Sequence, residues 1–344
     1  MQYAMLGNTG LAVSRLCFGA MTFHAGSTAM GSVAKTRGPD ADALVGRALD
    51  AGINFFDTAD MYSEGEAERM LGAALAPHRN DVVIATKCGM RSGSTLTQGG
   101  LSRRHILWSV DQSLGRLGTD WIDVYICHRQ DALTPLAETL QALDDVVRAG
   151  KVRYVGFSNW SAWKASAALE LQKAHGWAPF THGQMSYSLL TRDVEHEVVP
   201  MMLEYGIGLT AWSPLASGFL SGKYTREGTS DATARLGSGS VSATFDREQG
   251  FALLDRLRAI AARHAATVAQ VALAWLLTRP AVTSVILGAS RLAQHDDNLG
   301  AIGLQLAADE LAQLDEATAL PRQYPGWFHR WAADKRLQQA LGRS

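Results

Sequence analysis

The side chains best suited to chemistry fall where short apolar runs end. Asp57 closes INFFD, Lys87 closes VVIATK, His128 closes IDVYICH, and Tyr62 follows Asp57 by five residues. A free phenol titrates near ~10, too high for easy proton exchange at neutral pH. A neighbouring lysine ammonium stabilises the phenolate and lowers that value. A carboxylate holds such a lysine by a charge-assisted hydrogen bond, and an imidazole donating to a carbonyl oxygen steadies the negative charge developing there. Asp57, Tyr62, Lys87 and His128 therefore fit one reaction, in which Tyr62 protonates an oxygen as hydride reaches its carbon. Taken singly, each has a plainer use. Asp57-Thr58 would cap a helix, Lys87 would reach solvent, His128 would pair beside Arg129 and Asp131, and Tyr62 would pack on a loop. Only their shared placement favours the chemical use.

That placement extends further. Ser158 and Asn159 end VRYVGFSN, Gln184 lies near the end of THGQM, Trp212 ends GLTAW and Gly288 ends SVILG. Seven apolar runs thus deliver a polar, aromatic or glycine residue at the C-terminal end, the face that carries active sites in α/β barrels.

The elements that must position these residues alternate along the chain. Strands are expected at Arg15–Phe18, Ile53–Phe56, Val82–Thr86, Ile122–Cys127, Val152–Phe157, His182–Met185, Gly208–Trp212 and Ser284–Leu287. Runs such as VVIAT are almost continuously apolar, as strands buried on both faces must be. Helices are expected at Asp40–Ala51, Glu66–Leu75, Ser102–Leu117, Thr134–Ala149, Ser161–Lys173 and Arg192–Tyr205. Ser102 and Ser161 serve as N-caps, and Gly52, Gly118, Gly150 and Gly206 as stops. Eight strand–helix repeats predict one (β/α)8 TIM barrel domain over residues 1–344. Turn formers in LGNTGL put a small hairpin over residues 1–12, and a Gly/Ser-rich loop spans 214–245. The tail, 319–344, carries Tyr324, Trp327, Phe328 and Trp331, as either core packing or a pocket wall.

Composition fits a globular chain. It is 47% hydrophobic with a net charge of −1, which excludes disorder and argues against a generic nucleic-acid or membrane-surface footprint. No stretch approaches a membrane span and no signal peptide opens the chain. Cys17, Cys88 and Cys127 read as reduced thiols of a cytoplasmic protein, without zinc spacing.

Several letter matches fail in context. Gly206–Ala211 fits G-x-G-x-x-A but leads into a strand, and Ser221-Gly222-Lys223 lacks the spacing of a P-loop. Asn159-Trp160-Ser161 is a sequon that a cytoplasmic chain never presents for glycosylation.

The segment INFFDTADMYSEGEAERMLG resembles the signature of the aldo-keto reductases. The similarity continues through TKCG, DVYICHRQD, VGFSNW, QMSYSLL, AWSPLASGFLSGKY and ILGASRLAQHDDNLGA. MLGNTGLAVSRLCFGAMTF is similar to that family's hairpin and first strand, and the wording resembles its branch of potassium-channel β-subunits and bacterial relatives. The resemblance implies an NADP(H)-dependent oxidoreductase acting on a small carbonyl or alcohol. In it Tyr62 is the general acid/base, and Asp57, Lys87 and His128 complete a tetrad. Ser158, Asn159 and Gln184 would bind the nicotinamide carboxamide, and Trp212 would stack on the ring. Gly19 and Met21 join the cofactor set at the end of the first strand. Ser213, Leu215 and Gly218 would wrap the pyrophosphate, followed by Lys223. Gly288, Ser290, Arg291, Gln294, Asp297 and Asn298 would hold the adenosine end. Contact of Ser290 and Arg291 with a 2′-phosphate favours NADP(H) over NAD(H). No metal is implied, and a homo-oligomer stays open.

Departures from the family's wording bear on substrate. Ser188 stands where many relatives have Asn, ILG replaces IPG, and the insert Gly26–Gly38 is long. That insert, with Met21, Phe23, Met90 and the aromatic tail, is expected to shape substrate choice. Two other readings remain: an NADPH-binding regulatory subunit of a partner protein, and an unrelated barrel enzyme using Lys87 as a Schiff base.

Overall fold

The computed structural model describes residues 1–27, 29–229 and 245–342. Two short strands, β1 (Tyr3–Met5) and β2 (Ala12–Ser14), pair antiparallel ahead of the barrel. Eight parallel strands then close the cylinder: β3 (Leu16–Gly19), β4 (Phe55–Asp57), β5 (Val83–Cys88), β6 (Ile122–Cys127), β7 (Val152–Ser158), β8 (Phe180–Ser186), β9 (Gly208–Trp212) and β10 (Val282–Leu287), with β10 returning to β3. The expected barrel is present, with Ile122–Cys127 and Gly208–Trp212 at their expected bounds and the other six strands shifted by only a few residues at one or both ends.

Helices α1 (Gly38–Asp50), α2 (Glu66–Leu75), α3 (Arg103–Leu117), α4 (Leu136–Arg148), α5 (Ala162–His175) and α6 (Val198–Tyr205) follow the anticipated segments. The sequence reading names no helix beyond Tyr205. The structure adds α7 (Arg247–Arg263), α8 (Val268–Leu277), α9 (Leu292–Leu299), α10 (Ala308–Ala317), α11 (Gly326–Trp331) and α12 (Lys335–Ala340). Helix α8 is apolar almost all round and buried, so it offers no amphipathic stripe to read.

Local chemistry explains most boundaries. The Ser102 hydroxyl accepts from the His105 amide and caps α3, and Gly118 ends that helix at φ 64°. Ser161 departs from expectation. Its hydroxyl donates to Gln130 Oε1 at 2.9 Å, and no side-chain bond caps α5. The expected Arg192–Tyr205 helix is broken into a 3-10 turn, Asp193–Glu195, and α6.

The hairpin closes the N-terminal end of the barrel. Leu6 and Val13 join the interior cluster of Cys17, Phe55, Val83, Val124 and Ile286. The Asn8 amide bonds Gly206 O at 2.7 Å, and a Cβ on Gly7 (φ +57°) would meet Thr181 O at 2.5 Å. Only glycine lets the turn approach so closely. With one end plugged, access to the interior is confined to the opposite rim.

The tail is not core packing. Tyr324, Trp327, Phe328 and Trp331 are exposed, with ring centroids 5.6–6.2 Å from one another. Of the long loop at 214–245, residues 214–229 are described. They hold the turn Ala216–Ser221, and 230–244 lie outside the described residues. No helix among the described residues is long and apolar enough to cross a membrane.

Candidate active site

Alternation along the strands decides which side chains reach the interior. Phe55 belongs to the interior cluster and Phe56 to the outer layer, so Asp57 shares Phe55's inward register. Val83 and Ala85 point inward, which puts Lys87 on the same face. Val124 and Ile126 do the same for His128, one residue past β6. Tyr154 sets the register for Ser158, and Trp212 packs against the interior cluster directly. A floor of apolar residues thus lies beneath a ring of polar ones.

Within that ring the contacts are short. Lys87 Nζ donates to Asp57 Oδ1 at 2.6 Å, to Thr58 O at 2.7 Å and to the Tyr62 hydroxyl at 3.3 Å. Gln184 Nε2 donates to Asp57 Oδ2 at 2.7 Å, so both carboxylate oxygens are engaged. The His128 ring meets Tyr62 edge to face, with centroids 5.9 Å apart. The four side chains singled out from sequence therefore converge. The Thr58 carbonyl, a backbone group, has no signature that sequence reasoning reads.

Electrostatics corrects one expectation. Burial pushes the Tyr62 phenol up, and the opposing charge of Lys87 does not cancel it, so the net shift is upward. Lys87 is already committed to Asp57 and the Thr58 carbonyl at shorter range. Burial alone would depress the Lys87 ammonium, but Asp57 and Tyr62 outweigh it and raise its pKa. Burial, and then the charge of Lys87, lower His128 to about 3, leaving a neutral imidazole at pH 7 with one N–H to give.

A second group extends from His128. Asn159, at φ 57°, donates through Nδ2 to His128 O at 3.1 Å and Ser158 Oγ at 2.9 Å. Its Oδ1 accepts from Trp212 Nε1 at 3.1 Å, which fixes the indole at the rim. Beyond β9, Ser213, Ala216, Ser217 and Gly218 all have positive φ, turning the chain sharply. A Cβ on Gly218 would lie 3.5 Å from Lys223 Cε, and Leu215 is half-buried in the same turn.

The third group lies around the start of α9. Gly288 is exposed and a Cβ there would meet nothing within 4 Å. Gln294 Oε1 accepts from the amide and hydroxyl of Ser290 at 3.4 and 3.3 Å, and Arg291 is exposed. Asp297 instead faces α8, accepting from Thr267 Oγ1 at 3.0 Å and Gln270 Nε2 at 3.1 Å, and Asn298 is buried. At the first strand, Gly19 pairs with Asp57 in the β3–β4 register and Met21 is half-buried. Among the described residues no cluster of His, Cys, Asp or Glu is arranged to hold a metal ion.

Comparison with known proteins settles the family. Residues 15–319 match the model of the aldo/keto reductase family. The chain belongs to the aldo/keto reductase family. It is 34% identical to a versiconal hemiacetal acetate reductase of Aspergillus parasiticus, over 95% of this chain and 99% of that protein. It is 38% identical to a probable voltage-gated potassium channel subunit beta of Oryza sativa subsp. japonica, over 88% and 91%. With L-glyceraldehyde 3-phosphate reductase of Escherichia coli (strain K12) it shares 34% identity over 93% of each chain. As in the aldo/keto reductase resemblance read from its motifs, reductases and channel-subunit homologues both stand among its relatives.

One buried acid behind this aldo/keto reductase site escaped the sequence reading, although it stands inside the DTADMY motif. The Asp60 amide bonds Lys87 O at 3.3 Å, Oδ2 accepts from Ser109 Oγ at 3.1 Å, and Oδ1 is buried without a partner among the described residues. Burial, and then the charge of Glu68, raise Asp60 from 3.8 to about 7. Because the folded pKa lies above the unfolded one, the folded protein holds an extra proton between those values. Its stability therefore falls as pH climbs through that window. Asp60→Asn should remove this loss: its melting temperature relative to wild type should rise from about pH 4 to about pH 7. A constant difference across that range in thermal unfolding would refute the assignment.

Proposed function

We propose that this chain is an NADP(H)-dependent oxidoreductase that interconverts an aldehyde or ketone and its alcohol, with Tyr62 as acid/base. The observation that supports it most is the Lys87 ammonium held between Asp57 and the Tyr62 hydroxyl, beside a neutral His128. A bound reduced nicotinamide would supply the hydride.

The rest falls to the chain's own residues. Protonated at neutral pH, Tyr62 gives its proton to the substrate oxygen. The phenolate left behind is stabilised by Lys87, which Asp57 keeps charged. His128 offers a neutral N–H to the same oxygen and adds to the stabilisation without a net charge. Gln184 and the Thr58 carbonyl hold Asp57 and Lys87 in place. Burial of Lys87 and Asp57 keeps the ion pair in a low-dielectric setting, where it responds strongly to charge on Tyr62.

The residues present fit the cofactor. Trp212, tied to Asn159, presents an aromatic face at the rim, and open space at Gly288 admits a close backbone approach. The exposed Arg291 beside Ser290 offers a bidentate partner for a 2′-phosphate, the basis for favouring NADP(H) over NAD(H).

Following cofactor absorbance with a panel of aldehydes, nitrobenzaldehyde among them, tests the reading. NADPH should be consumed, and faster than NADH at equal concentration. The relatives named as channel β subunits favour a second reading, an NADPH-binding regulatory subunit with little turnover. A folded, NADPH-bound protein inert toward every carbonyl and alcohol would replace the first reading with the second.

A further inference from the structure

The turn that carries Tyr62 also holds the long insert in the first strand–helix loop. Directly after Tyr62, Ser63, Glu64 and Gly65 adopt φ of 47°, 58° and 86°, so the chain doubles back before α2 begins at Glu66. Two left-handed non-glycine residues in succession are strained and persist only where surrounding bonds demand them. Those bonds are visible. The buried Ser63 hydroxyl donates to Phe23 O at 2.7 Å, and Ser27 Oγ donates to Glu64 Oε2 at 2.9 Å. One oxygen of Glu66, Oε2, accepts from three successive amides: Ala25 at 2.7 Å, Gly26 at 3.2 Å and Ser27 at 3.1 Å. Burial pushes the Glu66 carboxyl up, but the three amides, helped by the charge of His24, together outweigh it and hold the carboxyl below its ordinary range.

The other side of the insert is closed by a buried pair. Thr36 Oγ1 donates to Thr22 Oγ1 at 3.0 Å, Thr22 Oγ1 donates to Ala289 O at 3.1 Å, and Phe23 bridges Thr36. The insert is thus pinned at its neck next to the Gly288–Ser290 segment, and at its first limb next to Tyr62. The Glu64 and Glu66 contacts are made by side chains that the tetrad and the core do not otherwise use, and of the two it is Glu66 that binds the backbone of the limb.

We propose that Glu66 is a positioning residue that sets substrate choice, by fixing the limb Ala25–Ser27 as a wall beside Tyr62. This rests on the carbonyl-reducing function proposed above. Substrates with bulky substituents next to the carbonyl lean on that wall, and small aldehydes do not. Losing the anchor should therefore change discrimination between substrates and leave the chemical step intact.

The test compares wild type, Glu66→Ala and the shape-conserving Glu66→Gln on a small and a bulky aryl aldehyde. In Glu66→Ala, KM for the bulky aldehyde should change by about tenfold. Its kcat on the small aldehyde and the NADPH dissociation constant should stay within about twofold. Glu66→Gln, which retains one carbonyl oxygen, should recover part of the discrimination. Hydrogen exchange provides a readout independent of turnover: the amides of Ala25, Gly26 and Ser27 should lose protection in Glu66→Ala. Unchanged protection overturns the anchor. Lost protection with equal effects on both aldehydes overturns the specificity role. Lost protection in Glu66→Ala, together with a wild type that reduces no carbonyl, would leave the anchor standing and overturn the reductase function with the specificity role built on it.

Discussion

Replacing Tyr62 by phenylalanine should lower turnover of a carbonyl substrate by about two to four orders of magnitude, the usual worth of a positioned general acid. The ring itself does structural work that phenylalanine preserves. It meets His128 at 5.9 Å and lies 4.9 Å beneath the Lys87 ammonium. The hydroxyl accepts one long bond, 3.3 Å from Lys87, whose shorter bonds go to Asp57 and Thr58. The variant should therefore melt within a few degrees of wild type and bind NADPH with nearly unchanged affinity. A drop in kcat without a matching change in cofactor dissociation constant identifies an interaction made only in the transition state. Turnover within about threefold of wild type would remove Tyr62 from its role.

Lys87→Met should damage both stability and activity. Lys87 is fully buried and Asp57 is 3% exposed, so the variant leaves a carboxylate in the interior with Gln184 as its remaining side-chain donor. Breaking a buried ion pair by removing one partner typically costs about 3–5 kcal/mol. Denaturant unfolding should show a loss of that order at pH 7. Turnover should fall at the same time, because the phenolate loses the charge that stabilises it. The double variant Lys87→Met, Asp57→Asn separates the two effects: it should regain much of the lost stability and none of the lost turnover. Full stability in the single variant, or restored turnover in the double one, would contradict the arrangement.

The barrel and the four converging side chains were legible because nearly continuous apolar runs and the polar residues at their ends leave a direct mark. INFFD, VVIATK and IDVYICH each carry an inward-facing polar residue at the end of an apolar strand, and parallel strands in register deliver those residues to one rim. Helices after Tyr205 were less legible, since α8 is buried on all sides and shows no stripe. Three features left no mark of their own. The Thr58 carbonyl is backbone. Asp60 differs from a solvated acid only through burial, and Glu66 through three amides at Ala25–Ser27 that are remote in sequence. Gln184 was placed with the cofactor by resemblance, while its bond to Asp57 depends on the strand order of the closed sheet. The direction of the Tyr62 shift was misjudged for a related reason. Sequence shows a lysine nearby but not how deeply the phenol is buried, nor that two oxygens already hold that lysine.

The most direct measurement uses NADPH carrying deuterium at one face of the nicotinamide C4, then at the other, with an aldehyde substrate. Mass and configuration of the product alcohol are read for wild type and Tyr62→Phe. The account predicts deuterium on the former carbonyl carbon from one labelled face only, in a single configuration, with Tyr62→Phe forming almost none in the same time. Unlabelled alcohol, label from both faces, or equal product from the variant would contradict it.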